Sequence, residues 1–372
     1  MTLPAMSPAP AGAVFLRPEP DDGTFLTARA LRSGIMGMIL RPRLLLVREE
    51  DSEERLARLR RVQGLLARPS TVWLLDPETS GLVAAGITDE DAAARLRETA
   101  IAESVQLPLD LDTLAEPDTM QSLLEATWAL QAGAAALTAP YFRVTLGDDH
   151  VIELNLELAR RTTLVDERPT MAVLEANVGV VTSGSLVGIA ARMRACGVDV
   201  VMLRVVGCKE DASQRHVASY LRLARELTEA GLQVICDQVG RLGPVLVAGS
   251  GAAFSTGSWH YRSVPYDLIP RKGGGGGSQP IPYELPGRWR SSSPALARNL
   301  PAARCAVKSC CALEPEATPA DQREHFLHTV VAAAEQARDS MIETIVDSLA
   351  ASGDAIAVGW AAALREVQAE SA

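Results

Sequence analysis

Aromatic side chains are scarce: Phe, Tyr and Trp make up 4% of the 372 residues, while apolar residues together reach 47%. An interior with so few rings has to be filled by Ala, Val and Leu, which suits tightly packed helices and parallel strands. No apolar run reaches the roughly 18 residues that a membrane-spanning helix needs. A basic segment followed by a long apolar core is also missing near the start. Residues 1–12, rich in Pro and Ala, read as a disordered tail rather than a signal peptide. Cysteine is limited to six residues, which fits reduced, cytoplasmic thiols better than a disulfide framework. The net charge of −10 argues against a generic nucleic-acid binder. That charge is uneven, because residues 260–311 carry eight Lys or Arg against two acids, +6 locally against −16 for the remainder. A basic island on an acidic body is either a solvated loop or a local site for phosphate, nucleic acid or an acidic partner.

What is abundant is a repeating strand-then-helix pattern. Short apolar runs at 44–47, 72–75, 137–144, 171–174, 200–203, 232–236 and 252–255 read as strands buried on both faces. Between them, residues 53–67, 183–196 and 211–230 have helical spacing, and Gly197 and Gly231 stop the last two. Such units imply right-handed crossovers and a parallel sheet. A (β/α)8 barrel fits best, with an eighth strand expected within 81–109 or beyond Gly257. An open doubly wound sheet is second, since no Gly-rich phosphate loop follows the first run. The expected organisation is a tail and lead-in over 1–40 and a barrel over 41–257. A basic, Gly-rich flap with a cysteine cluster follows over 258–318, then two helices over 319–372 that pack on the barrel or on a second copy.

In a barrel, chemistry sits where strands end. That rule nominates Arg48, Asp76, Tyr141, Arg143, Glu175, Asn177, Arg204, Asp237, Ser255 and Thr256. Glu175 and Asp237 form the best catalytic acid/base pair, because each ends an apolar run at the rim of a low-dielectric core, where a carboxyl pKa is expected to rise. The alternative is that either carboxylate pairs with Arg204 or Arg143 in a structural network. Beyond the last strand, Trp259, His260, Arg262, Arg288 and Arg290 are candidates for binding an anionic substrate. Gly179, Gly184 and Gly188 resemble a phosphate loop but lack its Lys-Ser/Thr ending, and Ser183 reads as the cap of the next helix. No Gly-x-Ser-x-Gly elbow surrounds Ser255, which removes it as a hydrolase nucleophile. Cys196 and Cys236 read as core residues. Cys305, Cys310 and Cys311, with His328 or His325 on the next helix, offer a thiolate-and-imidazole set for zinc, or else are reduced bystanders. The glycine run at 273–277 is either a lid or a plain linker.

The order of barrel strands, Phe254-Ser255-Thr256-Gly257-Ser258-Trp259, basic loop, cysteine cluster and histidine-bearing helix resembles the tRNA-guanine transglycosylase superfamily, including its DNA-base-modifying relatives. The resemblance spans about residues 200–328. It implies a barrel that binds nucleic acid or a nucleotide through the basic flap, and a zinc site of three Cys and one His. Ser255 stands where that family carries its nucleophilic Asp, and Cys-x4-Cys-Cys replaces the family's zinc spacing, so the resemblance implies a diverged member. A second expectation is a small-molecule lyase or isomerase using Glu175 and Asp237. A third is a non-catalytic assembly module in which the Ala-rich C-terminal helices form a homodimer.

Overall fold

The computed structural model describes residues 9–18, 34–45, 72–83, 110–257, 283–285, 289–292, 297–299 and 317–370, with 53, 56, 57, 60, 62, 64, 305 and 312. Eight parallel strands follow one another around a nearly closed (β/α)8 barrel: β1 (Val14–Leu16), β2 (Gly37–Leu40), β3 (Val72–Leu75), β4 (Leu137–Thr138), β5 (Thr170–Asn177), β6 (Val200–Val206), β7 (Gln233–Cys236) and β8 (Ala253–Thr256). β1 pairs with both β2 and β8, so first and last strands meet. The remaining seam lies between β3 and β4, where the Ala135 N–H donates to the Trp73 carbonyl at 2.9 Å and Thr138 Oγ1 to the Leu75 carbonyl at 2.7 Å.

Alternation along each strand separates two cores. Val14, Leu16, Met38, Leu40, Leu174, Leu203, Cys236 and Phe254 face outward into the strand–helix core. Phe15, Ile39, Leu74, Met171, Val173, Val200, Met202, Ile235 and Ala253 fill the barrel itself. Ala9 joins this inner set and closes the lower end, its N–H donating to Gln233 Oε1 at 2.9 Å.

The helices are α1 (Pro117–Ala129), α2 (Asp149–Thr162), α3 (Val178–Ser183), α4 (Ile189–Ala195), α5 (Gln214–Glu229), α6 (Gly243–Ser250), α7 (Pro319–Asp339), α8 (Ile342–Ala350) and α9 (Ala355–Ala369). Ser213 caps α5 through its side chain, and Gly231 (φ 81°) ends the connection that follows, as the pattern predicts. Gly243 opens α6 against β8; a Cβ there would stand 2.2 Å from the Phe254 ring, so only glycine lets the two elements touch. α9 packs on α5, with Arg222 paired to Glu366 and Glu370. α7 packs on α6. Among the described residues no helix is long and apolar enough to cross a membrane.

Several expectations change. The run at 44–47 does not start the barrel: Pro42–Leu44 is a 3-10 turn, since proline lacks the ladder N–H, and residues 46–47 lie outside the described set. The barrel begins instead at Val14, inside the expected lead-in, and the first described residues lie within the expected tail. β4 is cut to two residues because Pro140 follows, with Val144 bridging back to Ala176. Of the helix expected over 183–196 only Ile189–Ala195 is helical; left-handed Gly184 and Gly188 bound the turn that separates it from α3, which ends at Ser183. Ser183 therefore ends α3, its hydroxyl donating to the Val180 carbonyl, and does not cap α4. The C-terminal part is three helices, divided at Ser340-Met341 and again before Asp354.

Candidate active site at the barrel mouth

Where the inward-facing positions reach the C-terminal ends of the strands, their chemistry switches from apolar to ionic. Phe15 gives way to Arg17, Ile39 to Arg41, Leu74 to Asp76, Val173 to Glu175, Met202 to Arg204, Ile235 to Asp237 and Ala253 to Ser255. Tyr141 completes the layer from the segment after β4. Each of the eight strands thus contributes to one ring at the mouth. Parallel register sets the heights, with Glu175 beside Arg204 and Phe15 beside Ser255.

Arg204 is the hub, 4% exposed. Its Nε and Nη2 donate to Asp237 Oδ2 at 2.9 and 2.7 Å, and Nη2 also reaches Asp76 Oδ2 at 2.5 Å. Nη1 donates to Glu175 Oε2 at 2.6 Å and to the Tyr141 hydroxyl at 2.7 Å. Arg17 forms the second centre, donating to Asp237 Oδ2 at 3.0 Å and to Asp76 Oδ2. Tyr141 donates to Asp76 Oδ1 at 2.8 Å. Ser255 Oγ donates to Asp237 Oδ1 and accepts the Gln238 N–H at 2.9 Å. At the outer edge, Arg143 Nε grips Glu175 Oε1 at 2.6 Å and Arg41 pairs with Glu78 at 2.9 Å.

The electrostatics follow from this wiring. Burial pushes the Asp237 carboxyl up, but Arg17 and Arg204 outweigh it and hold the group below the usual carboxylate range. The rise expected at a low-dielectric rim is therefore reversed, because two guanidiniums share the same pocket. Asp76 behaves alike: burial raises it, and Arg204 and Arg17 pull it far down. Burial pushes the Tyr141 hydroxyl well above its ordinary value, so it stays protonated. Among the described residues, four arginines (Arg17, Arg41, Arg143, Arg204) are matched by four carboxylates (Asp76, Glu78, Glu175, Asp237) in this network.

The backbone at the mouth is unusual at two non-glycine positions. Glu78 (φ 52°), just past β3, and Gln238 (φ 56°), just past β7, are both left-handed. Such conformations cost free energy and cluster at functional sites.

Of the residues nominated from sequence, Asp76, Tyr141, Arg143, Glu175, Arg204, Asp237 and Ser255 meet in this one network. Glu175 pairs with both Arg143 and Arg204, whereas Asp237 pairs with Arg204 and Arg17. Asn177 lies two residues above Glu175 on the same inward face of β5. Thr256 is a correction: it is fully buried on the outer face of β8, its hydroxyl donating to the Gly257 carbonyl, away from the ring. Arg48, Trp259, His260, Arg262, Arg288, Cys310 and Cys311, and the glycine run, lie outside the described residues. Arg290 lies in β10 (Arg290–Ser292), antiparallel to β9 (Tyr283–Leu285). Cys305 is half-buried, and His328 on α7 has a buried Nδ1 without a hydrogen-bond partner among the described residues. Among the described residues no group of three or more His, Cys, Asp or Glu side chains is placed to hold a metal ion. Sequence reasoning misses Arg17, Arg41, Glu78 and Gln238. For the two arginines a signal is present: Val14-Phe15-Leu16-Arg17 and Met38-Ile39-Leu40-Arg41 repeat the pattern of Val201-Met202-Leu203-Arg204.

No protein-family model matches the chain, and no curated protein matches it. Among solved structures, the chain is similar to the spore coat polysaccharide biosynthesis protein SpsE from Bacillus subtilis at 14% identity and a TM-score of 0.31. That match covers 70% of this chain and 65% of the other, so the chain spans about two thirds of its length. Nitroalkane oxidase from Streptomyces ansochromogenes is similar at 14% identity and a TM-score of 0.32, covering 99% and 100% of the two chains. Likenesses this slight carry no functional argument. The (β/α)8 assignment stands on the parallel strand order of the chain itself.

Proposed function

We propose that the chain is a barrel enzyme that moves a proton on a small molecule bound at its C-terminal mouth, an isomerase or lyase in reaction class. The observation that carries this reading is the convergence of all eight strands on one ionic ring centred on Arg204. Buried ion networks return less stability than well-packed apolar side chains of the same volume. Such a network at the end of the barrel where barrel enzymes carry their chemistry, flanked by two left-handed non-glycine residues, favours a functional origin over a structural one.

The roles follow from the partners. Glu175 is the proton acceptor, positioned by Arg143 and Arg204 on its two oxygens. Tyr141, which stays protonated, is a hydrogen-bond donor beside it and gives up no proton. Arg204 and Arg17 stabilise negative charge developing on the substrate. Asp237 and Asp76 remain ionised and fix the two guanidiniums, so neither acts as the acid.

Isotope exchange tests this without the product having to be identified. Incubated in D2O with panels of aldoses, ketoses, 2-oxo acids and amino acids, a proton-transferring enzyme washes deuterium into a carbon-bound position, read by loss of its proton NMR signal. Exchange on one class is expected with the wild type and lost by at least about a hundredfold in Glu175→Gln. No exchange on any panel, or exchange unchanged in that variant, overturns the reading. Binding of single-stranded RNA that weakens when Arg288 and Arg290 are neutralised would instead move the function to the basic stretch expected from the transglycosylase resemblance.

A further inference from the structure

The chain carries one residue too many where β4 runs beside β5. Thr138 lies opposite Met171 and Val144 bridges Ala176, so the chain takes six steps while β5 takes five. The Ala139 N–H still bonds to the Met171 carbonyl, and the ladder resumes where the Val144 N–H meets the Glu175 carbonyl. An extra residue of this kind is a bulge, and it re-aims the side chains that follow it. Ala136 faces the inner core and Ala139 the outer one, so an unbroken strand would turn Phe142 inward and Tyr141 and Arg143 outward. Beyond Pro140 the faces are exchanged. Tyr141 lies in the inner core, and Phe142 and Val144 lie in the outer one. Arg143 thereby reaches Glu175, and Tyr141 reaches Asp76.

Two side chains from outside the sheet hold the bulged stretch. Thr79, fully buried in the 3-10 turn after β3 (Thr79–Val83), donates from Oγ1 to the Tyr141 carbonyl at 2.6 Å and accepts the Tyr141 N–H at 2.7 Å. Ser80 Oγ adds a longer bond to the same carbonyl at 3.5 Å. Asn155 on α2 clasps the next residue: its Oδ1 accepts the Phe142 N–H at 2.8 Å, and its Nδ2 donates to the Phe142 carbonyl at 2.7 Å. Each supplies what a neighbouring strand would, one donor and one acceptor for one residue.

We infer that Thr79 and Asn155 are positioning residues: by holding the bulge at Pro140 they set Arg143 against Glu175 and so fix the direction of the proton-accepting carboxylate, a role that rests on Glu175 being the proton acceptor.

NMR of the full chain labelled at its arginine nitrogens tests this without a substrate. In the wild type the Nε–H groups of Arg143 and Arg204, bonded to Glu175 and Asp237, are expected to exchange slowly with water. In Thr79→Val and in Asn155→Leu the Arg143 group exchanges about tenfold faster or more while Arg204 keeps its rate. Thr79→Ser, which retains the hydroxyl, keeps the wild-type rate at both. General loosening of the fold would speed both arginines together. Arg143 unchanged in both variants, or both arginines speeded alike, overturns the inference. The deuterium screen separates the two levels. Glu175-dependent exchange on a substrate is expected to fall at least about tenfold in Thr79→Val and to return in Thr79→Ser. Exchange untouched by Thr79→Val removes the positioning role and keeps the proton-transfer site. No substrate exchange in the wild type, beside the expected Arg143 response, removes the reaction and keeps the two tethers as what shapes the mouth.

Discussion

At the scale of single residues, the mouth shows how one missing neighbour inverts an electrostatic argument. Asp237 read alone is a carboxyl at the end of an apolar strand and ought to hold its proton; with Arg17 and Arg204 against it, the proton is lost more easily than in the unfolded chain. The consequence for pH has a definite sign. Asp76 and Asp237 have folded-state values below their unfolded ones, so their contribution to stability is complete above the ordinary carboxylate value of about 4 and is lost as pH falls below it. Thermal midpoints measured from pH 7 down to pH 2 are expected to drop steeply below about pH 4 in the wild type. Asp237→Asn should lower the midpoint at neutral pH and flatten that acid limb. A variant limb as steep as the wild type's would mean that Asp237 is not one of the groups responsible.

Among the elements, strands long enough to show a pattern are legible in the sequence and short ones are not. β5 and β6, eight and seven residues long, are readable from their branched side chains, and so are the site residues Glu175 and Arg204 that they carry. β1 has three residues within a Pro- and Ala-rich stretch, and a run that short has no period to detect. Leu44-Leu45-Leu46-Val47-Arg48 looks more like a strand ending in arginine than Met38-Ile39-Leu40-Arg41 does; only Pro42, which forces the turn, tells them apart. Missing β1 means missing Arg17, and with it the sign of the Asp237 shift. Helix packing carries its own test. Gly243→Ala would drive a methyl group into the Phe254 ring at the α6–β8 contact, and the expected cost is about 1–3 kcal/mol in urea unfolding. A loss below about 0.5 kcal/mol would mean that α6 slides freely along β8.

Over the whole molecule, the C-terminal helices are bound to the barrel rather than appended to it. The Trp360 Nε1–H donates to the Glu210 carbonyl at 3.0 Å in the loop after β6, and Arg241, from the loop after β7, lies over the Trp360 ring at 5.8 Å. Arg241 also donates from its backbone to Glu210 Oε1 at 3.0 Å and from its guanidinium to the Trp289 carbonyl. Trp289 in turn donates to Ser348 Oγ on α8 at 3.0 Å. One chain of contacts thus joins two mouth loops, the residue before β10 and two terminal helices. Trp360→Ala is expected to cost about 3–5 kcal/mol while leaving a single unfolding transition, followed by circular dichroism and tryptophan fluorescence together. Separate transitions for barrel and helices would contradict that coupling.

The pairing of β1 with β8 has a consequence in time. Val14 lies opposite Phe254, and Ala9 bonds to Gln233 across 224 positions of sequence. During synthesis the first strand leaves the ribosome long before β8 exists, and at roughly 5–20 residues per second the wait is on the order of ten seconds or more. Arg17 spends that interval without Asp237. The β1–β8 pairing and the Arg17–Asp237 bond therefore wait for the last strands, and the newborn chain carries the unclosed edges of its sheet until then.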